Sequence, residues 1–284
     1  MRDYLTFLGR VLRISFQGSW RFYAWMTLLS VLTLVGLHAY ARQFVEGLQT
    51  SGMTNQVSWG AYIANFTFLV GVAAAAVMLV IPAYIYKKEA MHEVVMFGEL
   101  MAIAVIVMCL LFVMVDLGRP DRFHHMLPPF GMFNWPGSIL SWDVIVLNGY
   151  LLLNLHIVGY LLYTRYRQRP PTRKFYVPFV FTSIVWAVSI HTVTAFLYVG
   201  LAGRGYWHHP LVPSRFLASA FVAGPALMIL TFQIIRKAAR YWIGDEPIFT
   251  LRMIMTVAML VNVFLLGSEL FTEFYSPRSE EHTS

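Results

Sequence analysis

Long apolar runs alternate along the whole chain with short segments rich in arginine, lysine, proline and aromatic residues. Crossing a hydrocarbon layer of ~30 Å takes roughly 20 apolar residues in helical form. Seven stretches reach that length, at 22–40, 59–86, 94–115, 139–163, 177–201, 216–235 and 253–271. They predict an all-α integral membrane fold of antiparallel spans. Composition agrees: 58% of the 284 residues are hydrophobic and 12% charged, where a soluble domain carries about a quarter charged residues. The first span is not a cleaved targeting signal, because Arg2, Arg10, Arg13 and Arg21 are spread before it and no small-residue cleavage site follows. The basic, aromatic segment 10–23 reads as lying along the inner membrane surface.

Lysine and arginine set the orientation, since positive loops stay on the cytoplasmic side. Fifteen of the 21 lie before span one or between spans two and three, four and five, and six and seven. The amino terminus is therefore expected in the cytoplasm, with span three leaving at the outer face. That topology accounts for the net charge of +7 and gives no support for a nucleic-acid partner. A single cysteine, Cys109 in mid-span, excludes an intrachain disulfide, a CxxC pair, haem c attachment and an iron–sulfur cluster on this chain. Gly-rich phosphate loops, HExxH and GxSxG are also missing.

Polar groups inside spans cost a few kcal/mol at mid-bilayer and usually face a partner or a wet cavity. Asp116 closes span three at the outer boundary, in VDLGRPDRFHH. Asn65 in YIANFTF lies roughly 10 Å below the outer surface at ~1.5 Å per residue, and His191 in VSIHTVTAF roughly 20 Å from the inner one. Three polar groups from three spans thus share one depth in the outer half, and Asp143 is a fourth candidate. Each also has a structural reading: Asn65 and His191 as interhelical hydrogen-bond partners, Asp116 as a helix terminator paired with Arg119 or Arg122. An acid, a histidine and an amide at a lipid cleft suit quinol oxidation, which releases two protons and needs acceptors of tunable pKa. Phe66, Phe68, Phe196 and Tyr198 are candidates to cradle the ring.

The strings SWGAYIANFTFLVGVAAAA, VDLGRPDRF and HTVTAFLYVGLAGRGYWHHPLVPSRFLASAFVAGPALMIL resemble the NrfD/PsrC-type membrane subunits, the quinone-reacting anchors of polysulfide reductase and related complexes. The likeness covers nearly all of residues 20–275. Within the family, the extra first span, HTVTAF and PSRFLASAFVAGPAL are most similar to the DsrP branch, the membrane subunit of the DsrMKJOP complex. The resemblance implies two four-helix bundles with no haem or metal. It implies menaquinone or another quinone as substrate, near the outer end of the first bundle. It also implies a periplasmic ferredoxin-like iron–sulfur partner, other membrane and cytochrome subunits, sulfur-linked anaerobic respiration, and a bacterial or archaeal cytoplasmic membrane. By resemblance the acid role passes to Asp116, and a histidine in a VHS-like string supports His191. The family's second-span histidine has no counterpart here, where Phe66 stands near its expected place and only Asn65 remains.

The expected organisation is then a cytoplasmic start with the first span at 1–57, a complete first bundle with the quinone site at 58–203, and part of a second bundle at 204–277. The tail 278–284, RSEEHTS, reads as a non-native adapter translation on a chain truncated at its carboxyl end, which would deprive Glu269 and Glu273 of partners. Expected quinone-binding residues are Asn65, Asp116, His191 and Tyr198, with Asp116 and His191 catalytic. Arg119, Arg122 and Trp207, in two outer loops, are expected to dock the iron–sulfur partner, against the alternative of a merely solvated surface. Glu99, Asn154, His156 and Ser183 are polar groups of the inner half, open to a proton-conducting or a hydrogen-bonding reading. Two rival functions remain. A haem b anchor would use His38 with His191, or His156 with His92. A small-solute transporter would break helices at mid-depth in both halves, and Gly224–Pro225 alone approaches that.

Overall fold

The computed structural model describes residues 2–275 apart from 55, 58, 128, 202 and 240. Among them all regular structure is helical, and seven helices are long and apolar enough to cross a membrane. The tail 278–284 lies outside the described residues. Helices follow from the medium: with no water to satisfy amide groups in hydrocarbon, each span must close its own hydrogen bonds. An amphipathic helix α1 (Arg2–Ser15) precedes the first span α2 (Trp20–Glu46). The second span divides into α3 (Ala61–Ala73), α4 (Ala75–Val80) and a π-turn at Ile81–Ile85. After the short α5 (Glu89–His92) come α6 (Val95–Asp116), α7 (Ile139–Tyr166), α8 (Val177–Val199), α9 (Val212–Ala238) and α10 (Asp245–Tyr275).

The second span with α6, α7 and α8 forms a ring of four, each packed on the next, with α8 closing back on α3 and α4. Helix α9 lies outside this ring against α3, α4 and α8, and α10 packs on α9. The second span is therefore central, and the run Ala73–Val80 is almost completely buried. Small residues make that possible, because helices in lipid associate through close van der Waals packing. A side chain at Gly224 on α9 would put its Cβ 2.8 Å from the Ala75 nitrogen, and one at Gly98 on α6 would lie 2.7 Å from Leu79. The backbones meet there directly.

Two expectations are corrected. The second span is continuous in the apolar pattern, yet it breaks at Ala74, where the loosened turn leaves the Ala73 carbonyl to accept from the Tyr150 hydroxyl at 3.4 Å. Such a break is tolerated at membrane depth because protein surrounds it. Conversely α9 runs unbroken through Gly224–Pro225, so among the described residues the paired interruptions of a transporter are not found. Helix α2 stands apart: Gln43 is its one buried residue. Gln43 donates from Nε2 to the Val115 carbonyl at 2.7 Å and accepts at Oε1 from the Tyr62 hydroxyl at 2.7 Å.

Candidate functional site

A cavity of about 290 Å³ opens between α3, α8 and α9 in the half of the ring that holds Asp116. Helix α3 lines it with Ala64, Thr67, Phe68 and Gly71, at the i, i+3, i+4, i+7 spacing of one helix face. Helix α9 contributes Arg215, Phe216, Ser219 and Ala223, and α8 contributes His191. The volume sits at the small end of ligand pockets, about 300–1,000 Å³, which suits a single fused-ring head. A larger groove of about 710 Å³ between α9 and α10 has only apolar side chains and Ser214 along it, so it has no group that can exchange protons.

His191 is 1% exposed. Its Nδ1 lies 2.5 Å from the Ala187 carbonyl one turn back on α8. A carbonyl oxygen only accepts, so Nδ1 carries the hydrogen and Nε2 is the bare acceptor. Nε2 is buried and makes no hydrogen bond of normal geometry in the protein, although backbone of Val70 and Gly71 on α3 lies close to the ring. Leaving such an atom unsatisfied costs about 1–3 kcal/mol, and here it belongs to the wall of a cavity. Arg215 faces the same cavity, with its guanidinium held by the Glu269 carboxylate of α10. The pair gives Glu269 the partner it was expected to lack. A monodentate tie leaves further guanidinium N–H donors for the cavity.

An aromatic cap closes the cavity at the end where α8 runs into the 200–211 loop. The Tyr198 hydroxyl is hydrogen-bonded to the Thr67 hydroxyl, and its ring lies 5.1 Å from Trp59, 5.2 Å from Trp207 and 5.3 Å from Phe216. Trp59 and Trp207 stack at 5.7 Å. Arg204 covers Trp207 and donates to the Gln56 carbonyl at 2.5 Å. Trp207, expected at a docking surface, is part-buried in this cap through its stacking on Trp59 and Tyr198. Arg119 and Arg122 are exposed as expected. Arg119 grips Asp121 with two bonds of 2.8 and 3.0 Å, and that guanidinium holds the Asp121 carboxyl down at about 2.

Asp116 is the last residue of α6, next to the Gln43 tie on Val115, with Oδ1 buried and without a partner. It is within electrostatic range of Tyr198 but is not part of the cavity wall. Asn65 is turned away. It is exposed and donates to the Ala61 carbonyl at 2.7 Å, being about 110° round α3 from the lining face at 100° per residue. Of the three polar groups expected at one depth, His191 alone lines the cavity; Asp116 stands outside its wall and Asn65 is turned away from it. The sequence pattern did not single out Thr67, Arg215, Gln43 or Tyr62, nor pair Glu269 with Arg215; Thr67 alone carried a signal, its place on the α3 face of Gly71.

Asp143 is 2% exposed and accepts from Thr194 at 3.0 Å, one turn along α8 from His191. In the other half of the ring, Glu99, Asn154 and Ser183 are buried, and both Glu99 oxygens lack partners. His156 is not among them: it is exposed and contacts the Phe175 carbonyl at 2.9 Å. His38 lies on an exposed face of α2, and His92 is exposed against Tyr84. Neither supposed haem pair faces its mate.

Residues 49–282 match the family model described as polysulphide reductase, NrfD. A selenate reductase subunit of Mesobacillus selenatarsenatis is 26% identical, over 90% of this chain and 66% of its own length. A putative dimethyl sulfoxide reductase membrane subunit of Halobacterium salinarum is 28% identical, over 86% and 59%. The Hdr-like menaquinol oxidoreductase integral membrane subunit of Archaeoglobus fulgidus is 23% identical, over 92% and 63%. The chain thus spans about two thirds or less of the length of these relatives.

Proposed function

The chain belongs to the polysulphide reductase NrfD family, and from that premise we propose that it exchanges electrons between the membrane quinone pool and an iron–sulfur subunit docked at its outer end. The observation that carries this reading is the bare, buried Nε2 of His191 on a cavity of ring size. A quinol hydroxyl donates to Nε2, and the Arg215 N–H donors receive the oxygen at the far side of the ring. On oxidation two electrons leave for the iron–sulfur subunit and two protons must go. Nε2 takes the first, and Asp143, tied through Thr194, supplies a buried carboxylate one turn away to balance the imidazolium. Tyr198 caps the cavity and Asp116 lies within electrostatic range of it, and Asp116 takes the second proton on its unpartnered oxygen.

The partner is a ferredoxin-like subunit on the periplasmic side, received by Arg119 and Arg122, with the amino terminus in the cytoplasm of a bacterial or archaeal cell. Menaquinone is the favoured substrate, supported by the menaquinol oxidoreductase among the relatives. We place the chain on the DsrP branch, in a sulfur-respiring complex with other membrane and cytochrome subunits; the extra first span and the strings HTVTAF and PSRFLASAFVAGPAL support this. The test uses the cap tryptophans. Titrating the purified protein with a short-chain menaquinone should quench Trp59 and Trp207 emission saturably, and His191→Phe should weaken that binding. Quenching without saturation, or of equal affinity in the variant, removes the site.

A further inference from the structure

At the opposite, basic end of the bundle, helix α1 lies across the tip of α7. Phe7 is buried between Tyr163 and Tyr166, with ring centroids at 5.4 Å from each. Asp3 pairs with Arg167, and Arg10 lies 5.8 Å over the Tyr166 ring. The remaining apolar face of α1, with Leu5, Leu8 and Leu12, is exposed and has none of the described residues packed over it. A helix with one apolar face, three arginines on the other and this position lies in a membrane interface, its apolar side in the acyl boundary.

Between α1's anchor and the following loop is a cavity of about 270 Å³ lined by Tyr160, Tyr163, Arg167, Arg169 and Thr172. A strained turn shapes it: Gln168 adopts φ +52°, in the left-handed region, and so folds Arg167 and Arg169 onto one cavity. That conformation is uncommon outside glycine and asparagine. Among the described residues no carboxylate lies within pairing distance of Arg169, while Arg167 has Asp3 alone. The Tyr160 hydroxyl accepts from the Thr172 amide at 3.0 Å, which leaves its own hydrogen to donate. The run 165–174 holds Arg165, Arg167, Arg169, Arg173 and Lys174 with no acidic residue. Two guanidinium groups and a phenol converging on one space are donors for a tetrahedral oxyanion.

We propose that this cavity binds the phosphate of an anionic phospholipid, with the acyl chains running beside the apolar face of α1. A headgroup rather than free phosphate fits, because the cavity opens where α1 meets the interface and basic pockets at that level recruit anionic lipids. The lipid would clamp α1 onto α7 and so join the helix to the bundle.

The intact protein, delipidated in detergent, is titrated with phosphatidylglycerol, with phosphatidylcholine and with inorganic phosphate, following its melting temperature and native mass spectrum. Phosphatidylglycerol alone should raise the melting temperature and remain bound through gentle activation. Arg169→Gln, which keeps the Asp3–Arg167 pair, should weaken phosphatidylglycerol binding about five-fold, the loss expected for one arginine at the interface. Arg167→Gln with Arg169→Gln should abolish the preference. An equal response to phosphatidylcholine, a response to inorganic phosphate as large as to the lipid, or an unchanged preference in Arg169→Gln would overturn the proposal.

Discussion

Replacing His191 by phenylalanine separates function from stability with opposite expectations for the two. The imidazole is 1% exposed, its Nδ1–H is spent on Ala187, and Nε2 makes no hydrogen bond of normal geometry. A purely structural histidine would lose stability when removed. Here the only bond given up is local to α8, while the unsatisfied nitrogen, a liability of about 1–3 kcal/mol, disappears. The phenyl ring fills a similar volume, so no large cavity opens. Thermal stability should therefore stay level or rise slightly. Binding of the quinol should weaken by the same 1–3 kcal/mol or so, because its hydroxyl now meets a carbon edge; that is roughly ten- to a hundred-fold in affinity. The assay is quinol oxidation by the assembled complex, alongside a melting curve of the same preparation. Unchanged turnover, or a stability loss of about 2 kcal/mol or more with turnover lost in proportion, would refute the reasoning.

Four further outcomes follow from the packing and the site. Asp116→Asn should slow quinol oxidation by about 10²-fold in complexes that assemble normally, as read by turnover against the yield of intact complex. Glu269→Gln leaves the Arg215 charge without its buried partner and should cost about 3–5 kcal/mol of stability, with quinone binding weakened in the same fluorescence titration. Gly224→Ala drives a Cβ to 2.8 Å from the Ala75 nitrogen, where backbone cannot yield, so melting should show a loss of about 1–3 kcal/mol; Gly267→Ala, with open space around it, should be neutral. Gln43→Leu removes both ties of α2 and should speed hydrogen exchange at the carboxyl end of Trp20–Glu46 while leaving α6–α8 protected.

Spans were legible because membrane helices announce themselves through length and apolarity alone. All seven expected stretches are helices, although α7 and α10 continue beyond the apolar core into polar turns. The break at Ala74 was not legible: it sits in VAAAA with no proline or glycine beside it, and it arises where Gly224 and Gly98 press other helices onto that backbone. At the site, depth could be counted along the chain but the direction of a side chain round its helix could not. His191 and Tyr198, seven residues apart, kept their common face, whereas Asn65 lay at the right depth on the wrong side. Arg215 and Glu269 come from spans outside the ring, and nothing local in either segment marks them as partners. Trp207 looked like a loop residue, and only the tertiary stack with Trp59 shows it folded inward.

The claim on which the rest depends is that a quinone head occupies the cavity between α3, α8 and α9. The most direct measurement is a density map of the assembled complex with bound quinone. The head is predicted within hydrogen-bond reach of His191 Nε2 and Arg215, under the Tyr198–Trp207 cap. A head resting instead on the far side of α3, against Asp116 and Gln43 with the His191 cavity empty, would contradict the account.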